Sequence, residues 1–292
     1  MSEEIDNALE QAGLDPLEVR RLVDTALDED LRYGPDVTTD ATIRLDQRAR
    51  AQVVAREHGV ICGGPVALLV LETVGFPLTA VDVRIVDGES VHPGSVVMNL
   101  EGPLRALLVS ERTLLNFMTH LSGIASATHE WSRALEGTNC RVRDTRKTTP
   151  GLRQLEKYAV RCGGGVNHRM GLGDAALIKD NHVSAAGSIT KAIEDVRRQY
   201  PDVTLEVECD TLEQVREALV TGCSLILLDN MNVQQLRAAA ELADDFPDVL
   251  LEASGGLTLE DATLVASTGV DYLAVGALTH SVRALDLGLD LI

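Results

Sequence analysis

Hydrophobic and polar positions follow two different rhythms along this chain of 292 residues. In the first 120 residues, apolar side chains recur at helical spacing at 16–30 and 65–74, which predicts two helices. Short aliphatic runs at 52–55, 81–86 and 96–100 are bounded by glycine and proline and predict strands. This part of the sequence therefore predicts a mixed α+β unit.

A long helical pattern at 104–135 joins this part to the second half of the chain. It contains Gly123, which we expect to break or bend the helix because glycine is a poor helix former. Beyond it, short aliphatic runs alternate with helical segments. The runs lie at Val142, Leu177, 205–207, 225–228, 249–251 and 272–275, and the helical patterns at 211–220, 233–244 and 259–267. Strands and helices that alternate at intervals of about 20 to 25 residues build a parallel sheet.

Residues able to do chemistry follow each of these predicted strands. They are Asp144, Arg146 and Lys147 after the first, Lys179 and Asp180 after the second, and then Glu208, Asp229, Ser254-Gly255-Gly256 and Gly276. The strand ends of a β/α barrel converge on one mouth, where active sites form. We therefore expect a closed or nearly closed parallel barrel rather than an open sheet.

The third of these strands carries two carboxylates. Alternation puts Glu206 and Glu208 on one face, so both point into the barrel if the aliphatic side chains pack on the helices. A buried carboxylate must be paired or bind a metal ion. For Glu206, an internal salt bridge to Lys179 or Arg146 remains an alternative to a functional role. Glu208 and Asp229 end neighbouring strands and suit ribose hydroxyls or one Mg²⁺ ion.

Glycines follow the last two predicted strands, in Ser254-Gly255-Gly256 and in Val275-Gly276-Ala277. Backbone N–H groups can approach an oxyanion there, and the loops after the last two strands are the usual phosphate site of such barrels. Ordinary turn glycines are the alternative interpretation. His280, which follows shortly afterwards, either adds a hydrogen-bond donor or has a structural role.

The segment after the first barrel strand contains a predicted helix with cations at both ends. Thr149 followed by Pro150 predicts the N-cap of this helix, and the glycines at 163–165 predict its end. Arginine grips a carboxylate with two parallel hydrogen bonds, and lysine supplies a compact charge for phosphates. The flanking cations are Arg146 and Lys147 before the helix and His168, Arg169 and Lys179 after it. Together they predict a site for a molecule with two adjacent carboxylates beside a pyrophosphate.

The charge balance supports an anionic ligand. Net charge is −19, yet residues 141–182 carry nine basic and four acidic residues. Three of the four lysines of the chain lie in this window, which indicates a multiply charged anion as the ligand. Arg153, Lys157 and Arg161 recur at helical spacing, and for these three we favour a solvated helix face. The acidic balance elsewhere argues against nucleic-acid binding.

Composition bears on the cellular setting. An acidic, lysine-poor and aromatic-poor chain suits a high-salt, halophilic cytoplasm. No apolar run approaches the roughly 20 residues needed to cross a bilayer, and the acidic N-terminus has no signal pattern. We therefore expect a cytoplasmic protein without a membrane partner. The five cysteines are scattered, so we expect neither a disulfide framework nor a zinc site, and interpret them as small buried hydrophobic residues.

These motifs, in this order and spacing, resemble the signature of the quinolinate phosphoribosyltransferase family. In the centre of the chain they are 144–153 (DTRKTTPGLR), 155–161 (LEKYAVR), 163–169 (GGGVNHR) and 177–182 (LIKDNH). The N-terminal half adds 36–40 (DVTTD), 110–117 (SERTLLNF) and 121–125 (LSGIA), and the tail adds 206–208 (EVE), 228–231 (LDNM), 254–256 (SGG) and 275–280 (VGALTH). The resemblance covers nearly the whole chain.

The resemblance implies an α/β fold of two domains. An N-terminal α/β sandwich domain would cover 1–121, completed by 282–292, and an incomplete, TIM-like α/β barrel would cover 122–281. It also implies a homodimer or higher oligomer in which the sandwich of one subunit caps the barrel of the other. Arg112 looks like a solvated helix residue from the sequence alone, but would then enter the partner's site and grip quinolinate.

The activity that the resemblance implies joins quinolinate to the phosphoribosyl group of 5-phosphoribosyl-1-pyrophosphate. The products would be nicotinate mononucleotide, CO₂ and pyrophosphate, in de novo NAD biosynthesis, with Mg²⁺ as cofactor held by Glu208 and Asp229, directly or through water. The implied catalytic residues are Lys147, Lys179, Glu208 and Asp229. The implied quinolinate-binding residues are Arg112, Thr145, Arg146, His168, Arg169 and Lys179. The implied phosphoribosyl pyrophosphate-binding residues are Lys147, Glu208, Asp229, Ser254, Gly255, Gly256, Gly276, Ala277 and His280.

Two other functions fit parts of this pattern. A sister enzyme of similar fold would act on nicotinate without decarboxylation, or on an unknown substrate as in the molybdenum-transport-associated homologues. The full cationic set favours quinolinate, because two carboxylates need more positive charge than one. A non-catalytic anion-binding barrel is the other alternative, and the presence of Lys147, Lys179, Glu208 and Asp229 argues against it.

Overall fold

The computed structural model describes residues 3–292 as alternating helices and strands. The helices are α1 (Glu3–Gln11), α2 (Pro16–Leu31), α3 (Val37–Thr42), α4 (Gly64–Thr73), α5 (Leu104–Ala134), α6 (Arg153–Cys162), α7 (Asp180–Ala186), α8 (Ile189–Gln199), α9 (Leu212–Val220), α10 (Val233–Ala243), α11 (Ala262–Ala266) and α12 (Ala277–His280), with 3₁₀ turns at Leu78–Ala80 and Leu259–Asp261. The strands are β1 (Arg48–Ala55), β2 (Gly59–Val60), β3 (Val81–Val83), β4 (Ser90–Val91), β5 (Val96–Pro103), β6 (Arg141–Arg143), β7 (Ala175–Ile178), β8 (Thr204–Cys209), β9 (Leu225–Asp229), β10 (Leu250–Ser254), β11 (Tyr272–Ala274) and β12 (Leu287–Leu291). Within this range, no helix is both long and apolar enough to cross a membrane.

The chain divides into two compact units. The first comprises Met1–His129, Thr149–Gly164 and Ser281–Ile292, and the second comprises Glu130–Thr148 and Gly165–His280. Helix α6 thus belongs to the first unit, although it lies in sequence between two strands of the second. The domain limits implied by the resemblance, at 121/122 and 281/282, stay a prediction.

The first unit is built on an antiparallel sheet with the strand order β12-β1-β5-β3. Strand β12 returns from the end of the chain to pair with β1, from Ala51↔Leu291 to Ala55↔Leu287. Helices α1 and α2 contact α4. Helix α4 is largely buried because most of its side chains are apolar. Helix α2 begins where Asp15 accepts a hydrogen bond from the Leu17 N–H at 2.8 Å.

Helix α5 is continuous from Leu104 to Ala134, so the helix is not broken at Gly123. The glycine has a packing role instead. A Cβ at Gly123 would lie 2.3 Å from the carbonyl oxygen of Arg283, so this position admits the backbone of the C-terminal segment close to the helix.

Helix α6 begins at Arg153 with Leu152 as its N-cap, so the predicted N-cap at Thr149 is wrong. The Thr149 N–H instead donates to Glu156 Oε2 at 3.0 Å, and His120 Nε2 lies 2.9 Å from Glu156 Oε1. Buried Glu156 thereby organises the residues before the helix. The solvated face predicted for this helix is also wrong at its centre, because Lys157 is fully buried.

The second unit contains a six-stranded parallel sheet with the order β6-β11-β10-β9-β8-β7. Five further helices and a 3₁₀ turn connect its strands, and capping boxes at Thr211 and Asn232 begin α9 and α10. Strands β6 and β7 are the two ends of this order, and β6 adds a bridge from Arg143 to Val166. A mixed α/β fold with an incomplete parallel barrel is therefore confirmed.

The register of this sheet decides which side chains share a face. Leu177 pairs with Glu206, Glu208 with Leu227, and Leu227 with Glu252. Because paired residues in a parallel ladder project on the same side, both glutamates of β8 and the glutamate of β10 lie on one face. Farther along, Asp229 pairs with Ser254, and Ser254 with Ala274, which pairs with Arg143. One face of the sheet thus collects charged side chains from four strands.

Candidate active site

The predicted residues at the strand ends come together at one end of this face. Glu208 lies on β8, Asp229 ends β9, and Ser254 ends β10 in register with Asp229. Lys179 directly follows β7 and forms an ion pair with Glu208. These are residues that the sequence predicted at one barrel mouth, and the structure places them on four consecutive strands.

A buried acid–base cluster lies deeper on the same face. His168 Nε2 lies 2.9 Å from Glu206 Oε2 and 3.6 Å from Glu252 Oε1, while Arg143 donates to Glu252 Oε2 at 2.5 Å. The salt bridge to Lys179 or Arg146 considered for Glu206 is therefore wrong, since its partner is His168. The sequence analysis missed Glu252 and Arg143. Both could have been noticed in the sequence. Glu252 is a single acidic residue in a mostly apolar strand, and Arg143 is a basic residue next to Val142 in the predicted strand.

Burial is the main cause of the shifted pKa of Glu252 in this cluster. Glu252 is 0% exposed, and burial raises its pKa to about 7. The negative charge of Glu206 adds to this rise, whereas Arg143 and His168 oppose it. One side-chain nitrogen of His168 and one carboxylate oxygen each of Glu206 and Glu252 lie within 4.8 Å of one another.

Asp144 holds the segment that carries His168. This carboxylate is fully buried and accepts the His168 N–H at 2.8 Å and the Asn167 Nδ2–H at 2.5 Å. The backbone is fixed as well, because the Asp144 N–H donates to the Val166 carbonyl at 3.2 Å. Asp144 therefore fixes the backbone position of His168, a role that the sequence analysis did not assign to it.

Two guanidinium groups lie near each other beside this cluster. The pKa of Arg169 is lowered by burial and by the positive charge of Arg146. Arg169 donates from Nη1 to the Ala175 carbonyl at 2.9 Å, but in the part of the chain that the structure describes, the buried Nε atoms of Arg146 and Arg169 have no hydrogen-bond partner. Two neighbouring cations with unsatisfied donors are the arrangement that suits an anion with more than one negative charge.

The loop after β11 brings together the residues predicted to bind phosphate. A Cβ at Gly276 would lie 2.9 Å from Lys147 Cδ, 3.3 Å from His280 Nε2 and 3.5 Å from Thr145 Oγ1. The Thr279 hydroxyl donates to the Lys147 carbonyl at 2.9 Å, and the Lys147 N–H donates to Thr145 Oγ1 at 3.0 Å. Glycine at 276 therefore leaves the space in which Lys147 reaches this loop. Ala277 is exposed at the start of α12.

The loop after β10 has positive φ at two glycines, and at Gly255 it has no room for a side chain. Gly255 has φ of 98° and Gly256 has φ of 59°. A Cβ at Gly255 would lie 2.2 Å from Asn230 Oδ1, and the Asn230 N–H donates to the Ser254 carbonyl at 2.9 Å. This close contact keeps the loop after β10 beside the end of β9, where Asn230 also donates to Asp229 Oδ2 at 2.6 Å.

Arg112 lies on α5 in the first unit, where its side chain is exposed. The exposed position agrees with the solvated helix residue expected from the sequence. Its implied entry into a partner's site stays a prediction.

Comparison with known proteins identifies the family. The chain matches the model for the quinolinate phosphoribosyl transferase N-terminal domain over residues 36–122 and the model for the C-terminal domain over 124–290. The chain belongs to the quinolinate phosphoribosyltransferase family. The implied family membership is thereby confirmed.

Relatives and solved structures of this family cover nearly the full chain. A nicotinate-nucleotide pyrophosphorylase (carboxylating) of Mycobacterium leprae is 54% identical over 274 residues, covering 93% of this chain and 96% of the relative. A probable nicotinate-nucleotide pyrophosphorylase (carboxylating) of Bacillus subtilis is 43% identical, covering 94% and 93%. The crystal structure of the nicotinate-nucleotide pyrophosphorylase from Ehrlichia chaffeensis has a TM-score of 0.88 at 36% identity, covering 93% of this chain and 98% of that one.

Proposed function

We propose that this protein transfers the phosphoribosyl group of 5-phosphoribosyl-1-pyrophosphate to quinolinate with loss of CO₂, giving nicotinate mononucleotide and pyrophosphate for NAD biosynthesis. One observation carries the proposal. The arginine pair Arg146 and Arg169 and the loop at Gly276, which Lys147 contacts, belong to the same parallel-sheet unit. The names of the relatives support the same reaction, since they are nicotinate-nucleotide pyrophosphorylases and quinolinate phosphoribosyltransferases.

The arginine pair suits the two adjacent carboxylates of quinolinate. Arg146 and Arg169 are close enough for the charge of one to lower the pKa of the other, so a dianion between them would relieve their repulsion. His168, held by Asp144 and Glu206, would orient one carboxylate. Thr145 lies beside Gly276 and would contact the substrate at the border with the sugar.

The loops after β10 and β11 suit the phosphates. Lys147 and His280 converge on Gly276. Gly255 and Gly256 both have positive φ, and backbone N–H groups of such glycine loops would be available to phosphate oxygens. Ser254, Gly255 and Ala277 complete this phosphate-binding rim. Glu208 and Asp229, on adjacent strands and on the same face, would accept hydrogen bonds from the ribose hydroxyls.

Mg²⁺ fits the donor set at the ends of β8 and β9. Glu208 and Asp229 offer hard carboxylate oxygens, and Mg²⁺ is commonly held by one or two carboxylates together with substrate phosphates and water. When bound, the ion would neutralise negative charge on the pyrophosphate. Lys179 already compensates one of these carboxylates, so the site keeps a net charge low enough to admit an anionic substrate.

The chain's own groups then account for the chemistry in order. Lys147 and Lys179 would stabilise the charge that develops on pyrophosphate as it leaves the anomeric carbon. Glu208 and Asp229 would stabilise the positive sugar ring, which the pyridine nitrogen attacks. The positive ring nitrogen so formed stabilises the carbanion that remains when the C–C bond to the adjacent carboxylate breaks and CO₂ leaves, and this carbon would then take a proton from solvent. The arginines hold quinolinate in place through both steps.

We further propose that the enzyme acts as a homodimer in which Arg112 of one subunit reaches the site of the other. The exposed position of Arg112 on α5 supports this arrangement. A third arginine would add positive charge beside Arg146 and Arg169 and would so strengthen the binding of quinolinate, which carries two carboxylates.

The deciding experiment supplies the purified protein with quinolinate, phosphoribosyl pyrophosphate and Mg²⁺, and measures nicotinate mononucleotide and CO₂. We expect equal amounts of both products. Nicotinate in place of quinolinate serves as the matched control, and it should give no mononucleotide. Mononucleotide from nicotinate without CO₂ would instead identify a sister enzyme, and absence of turnover with either acid would contradict the proposal.

A further inference from the structure

Two cysteines that are far apart in the sequence meet in the first unit. Cys62 precedes the first turn of α4 and is fully buried, whereas Cys162 ends α6 and is half-buried. Their sulfur atoms and a carboxylate oxygen of Asp87 lie within 4.8 Å of one another. The expectation of small buried hydrophobic residues holds for Cys62, whereas Cys162 is only half-buried.

Asp87 has a structural task that occupies its oxygens. Oδ1 accepts the Gly64 N–H at 2.9 Å, and Oδ2 accepts the Gly63 N–H at 2.9 Å and the Tyr158 hydroxyl at 2.7 Å. Since Gly63 has no side chain, Asp87 satisfies the N–H groups at the start of α4 from another part of the chain. These bonds leave the two thiols, rather than a three-ligand metal site, as the reactive groups of the cluster.

The two thiols are not equivalent. A hydrogen bond from the Cys62 thiol lowers the pKa of Cys162, and the positive charge of Arg161 adds a little, although partial burial and the charge of Asp87 oppose them. Burial raises the pKa of Cys62 well above its usual range. The Tyr158 hydroxyl has one proton, which it donates to Asp87 at 2.7 Å, so this proton does not stabilise the Cys162 sulfur. Ionisation of the pair therefore occurs at Cys162, and Cys62 keeps its proton.

Cys162 is also the thiol that a small molecule can reach. It lines a cavity of about 640 Å³ in the first unit together with Asp87, Tyr158 and Arg161. Ala8, Leu68 and Ile85 are among the apolar residues on its other walls. An accessible, ionisable sulfur next to a buried second sulfur is the arrangement found in cysteine pairs that respond to oxidants.

We propose that Cys162 and Cys62 form a redox-active pair that hydrogen peroxide converts into an intramolecular disulfide. The Cys162 thiolate attacks the peroxide oxygen, the O–O bond breaks, and hydroxide leaves, so that Cys162 becomes a sulfenic acid. The sulfur of Cys62 then attacks the Cys162 sulfur, the S–O bond breaks, and hydroxide leaves with the proton of Cys62 as water. Two thiols are oxidised and one peroxide is reduced to water. This site is independent of the proposed transferase activity.

The test treats the full-length reduced protein with hydrogen peroxide and maps its cysteines by peptide mass spectrometry after alkylation. We expect one cross-linked species that joins Cys62 to Cys162, about 2 Da lighter than the two reduced peptides, and recovery of both thiols with dithiothreitol. Cys140 is the internal control, because burial raises its pKa to about 12, and it should stay reduced. Free Cys62 and Cys162 after treatment, or a disulfide between other cysteines, would overturn the proposal.

Variants separate the two roles. In Cys62→Ser protein, Cys162 should accumulate as a sulfenic acid that reacts with dimedone, whereas Cys162→Ser should leave Cys62 unmodified. Cys140→Ser is the matched control and should form the disulfide like the parent chain. Dimedone labelling of Cys62 in Cys162→Ser protein would reverse the assigned roles and overturn them. Stoichiometric zinc in the protein as purified, released only by a chelator, would show that the pair binds metal instead.

Discussion

In the second unit, several charged side chains are held close together in a partly buried position. Arg146 and Arg169 repel each other, and the fold keeps them close together in spite of this repulsion. His168 depends on Asp144 for the position of its backbone and on Glu206 for a partner for its ring. An anion that meets these groups finds donors already oriented, and so loses little free energy in ordering them.

The first prediction concerns the arginine pair. Arg146→Ala or Arg169→Ala should lower kcat/KM for quinolinate by about 100-fold or more, because each change removes a charged donor from a partly buried site. Steady-state kinetics with quinolinate varied at saturating phosphoribosyl pyrophosphate measure this, and circular dichroism checks the fold. Arg216→Ala, on the exposed part of α9, is the control and should behave like the parent chain. Normal kinetics in both site variants would show that quinolinate binds elsewhere.

A second prediction concerns Glu252 and pH. Its pKa is raised from 4.5 to about 7 by burial, so the folded state holds a proton that the unfolded chain has already lost. The stabilising contribution of this group is therefore complete below pH 4.5 and is lost as pH rises through 7. Between these limits the contribution should fall by about 3 kcal/mol.

Urea unfolding of the parent chain and of Glu252→Gln at several pH values isolates this effect. The free energy of unfolding of the parent, minus that of the variant, should decrease as pH increases from 4.5 to 8. Gln removes the titration of this group and also its ion pair with Arg143, so the change of the difference with pH, rather than its absolute size, carries the test. A difference that does not change with pH would contradict a raised pKa at Glu252.

The third prediction concerns Gly276. A methyl group there would displace Lys147 Cδ, which lies 2.9 Å from the position of the added carbon. Because this contact is with a flexible side chain, Gly276→Ala should keep its stability but raise the KM for phosphoribosyl pyrophosphate by roughly 10-fold or more. Gly173→Ala is the control, because its added carbon meets open space. Equal effects on the KM values of both substrates would argue against a specific phosphate role.

At the scale of secondary structure, α5 shows how a tertiary contact overrides a local preference. Glycine costs a helix about 1 kcal/mol relative to alanine, yet α5 continues through Gly123 without interruption. The reason is the backbone of the C-terminal segment, which lies where a side chain would otherwise be. Nothing in the local sequence around Gly123 indicates this neighbour, since it comes from the end of the chain.

The fourth prediction follows from this contact. Gly123→Ala should destabilise the protein by about 1–3 kcal/mol, because the added carbon would lie 2.3 Å from the Arg283 carbonyl oxygen. An ordinary helix interior would give the opposite sign. The free energy of unfolding in urea decides between the two, with Gly173→Ala as a glycine-to-alanine control outside a helix. Increased stability of Gly123→Ala would mean that the C-terminal segment does not pack on the helix.

Helix α6 makes the same point for its start. Thr149 and Pro150 have the sequence features of a helix start, but the helix begins after them, at Arg153, and the Thr149 N–H donates to buried Glu156. Lys157 has the spacing of a solvated helix face and is nevertheless buried. Local spacing correctly indicated a helix here, and the surroundings decided its first turn and its faces.

At the scale of the whole molecule, the fifth prediction tests the dimer. If Arg112 serves the site of the partner, a mixture of Arg112→Ala and Lys147→Ala chains should regain about a quarter of the parent activity after subunit exchange. Half of the dimers would be hybrids, and each hybrid would hold one complete site of two. Activity of the mixture, after exchange is verified by native mass spectrometry, is the measurement.

A second mixture is the matched control. Lys147 and Asp229 belong to the same barrel, so Lys147→Ala mixed with Asp229→Ala should regain nothing in any arrangement of subunits. Recovery in neither mixture would contradict a shared site, and recovery in both would point to residual activity of the variants.

The sequence by itself determined the parallel sheet and its chemistry at the strand ends. Period-two aliphatic runs and helical spacing are local properties, so the strands ending near Glu208, Asp229 and Ser254 were predictable to within a few residues. The cationic motifs around Arg146 and Arg169 were visible for the same reason, and the resemblance covered nearly the whole chain.

Tertiary structure alone decided which distant residues meet. The pairing of His168 with Glu206, the enclosure of Glu252 by Arg143, and the contact between Cys62 and Cys162 all join segments with no local relation. Burial and the pKa of a group depend on every neighbour in space, whereas spacing along the chain records only neighbours on one element. For that physical reason, the sequence indicated where the chemistry lies, and the fold decided the partner of each charge.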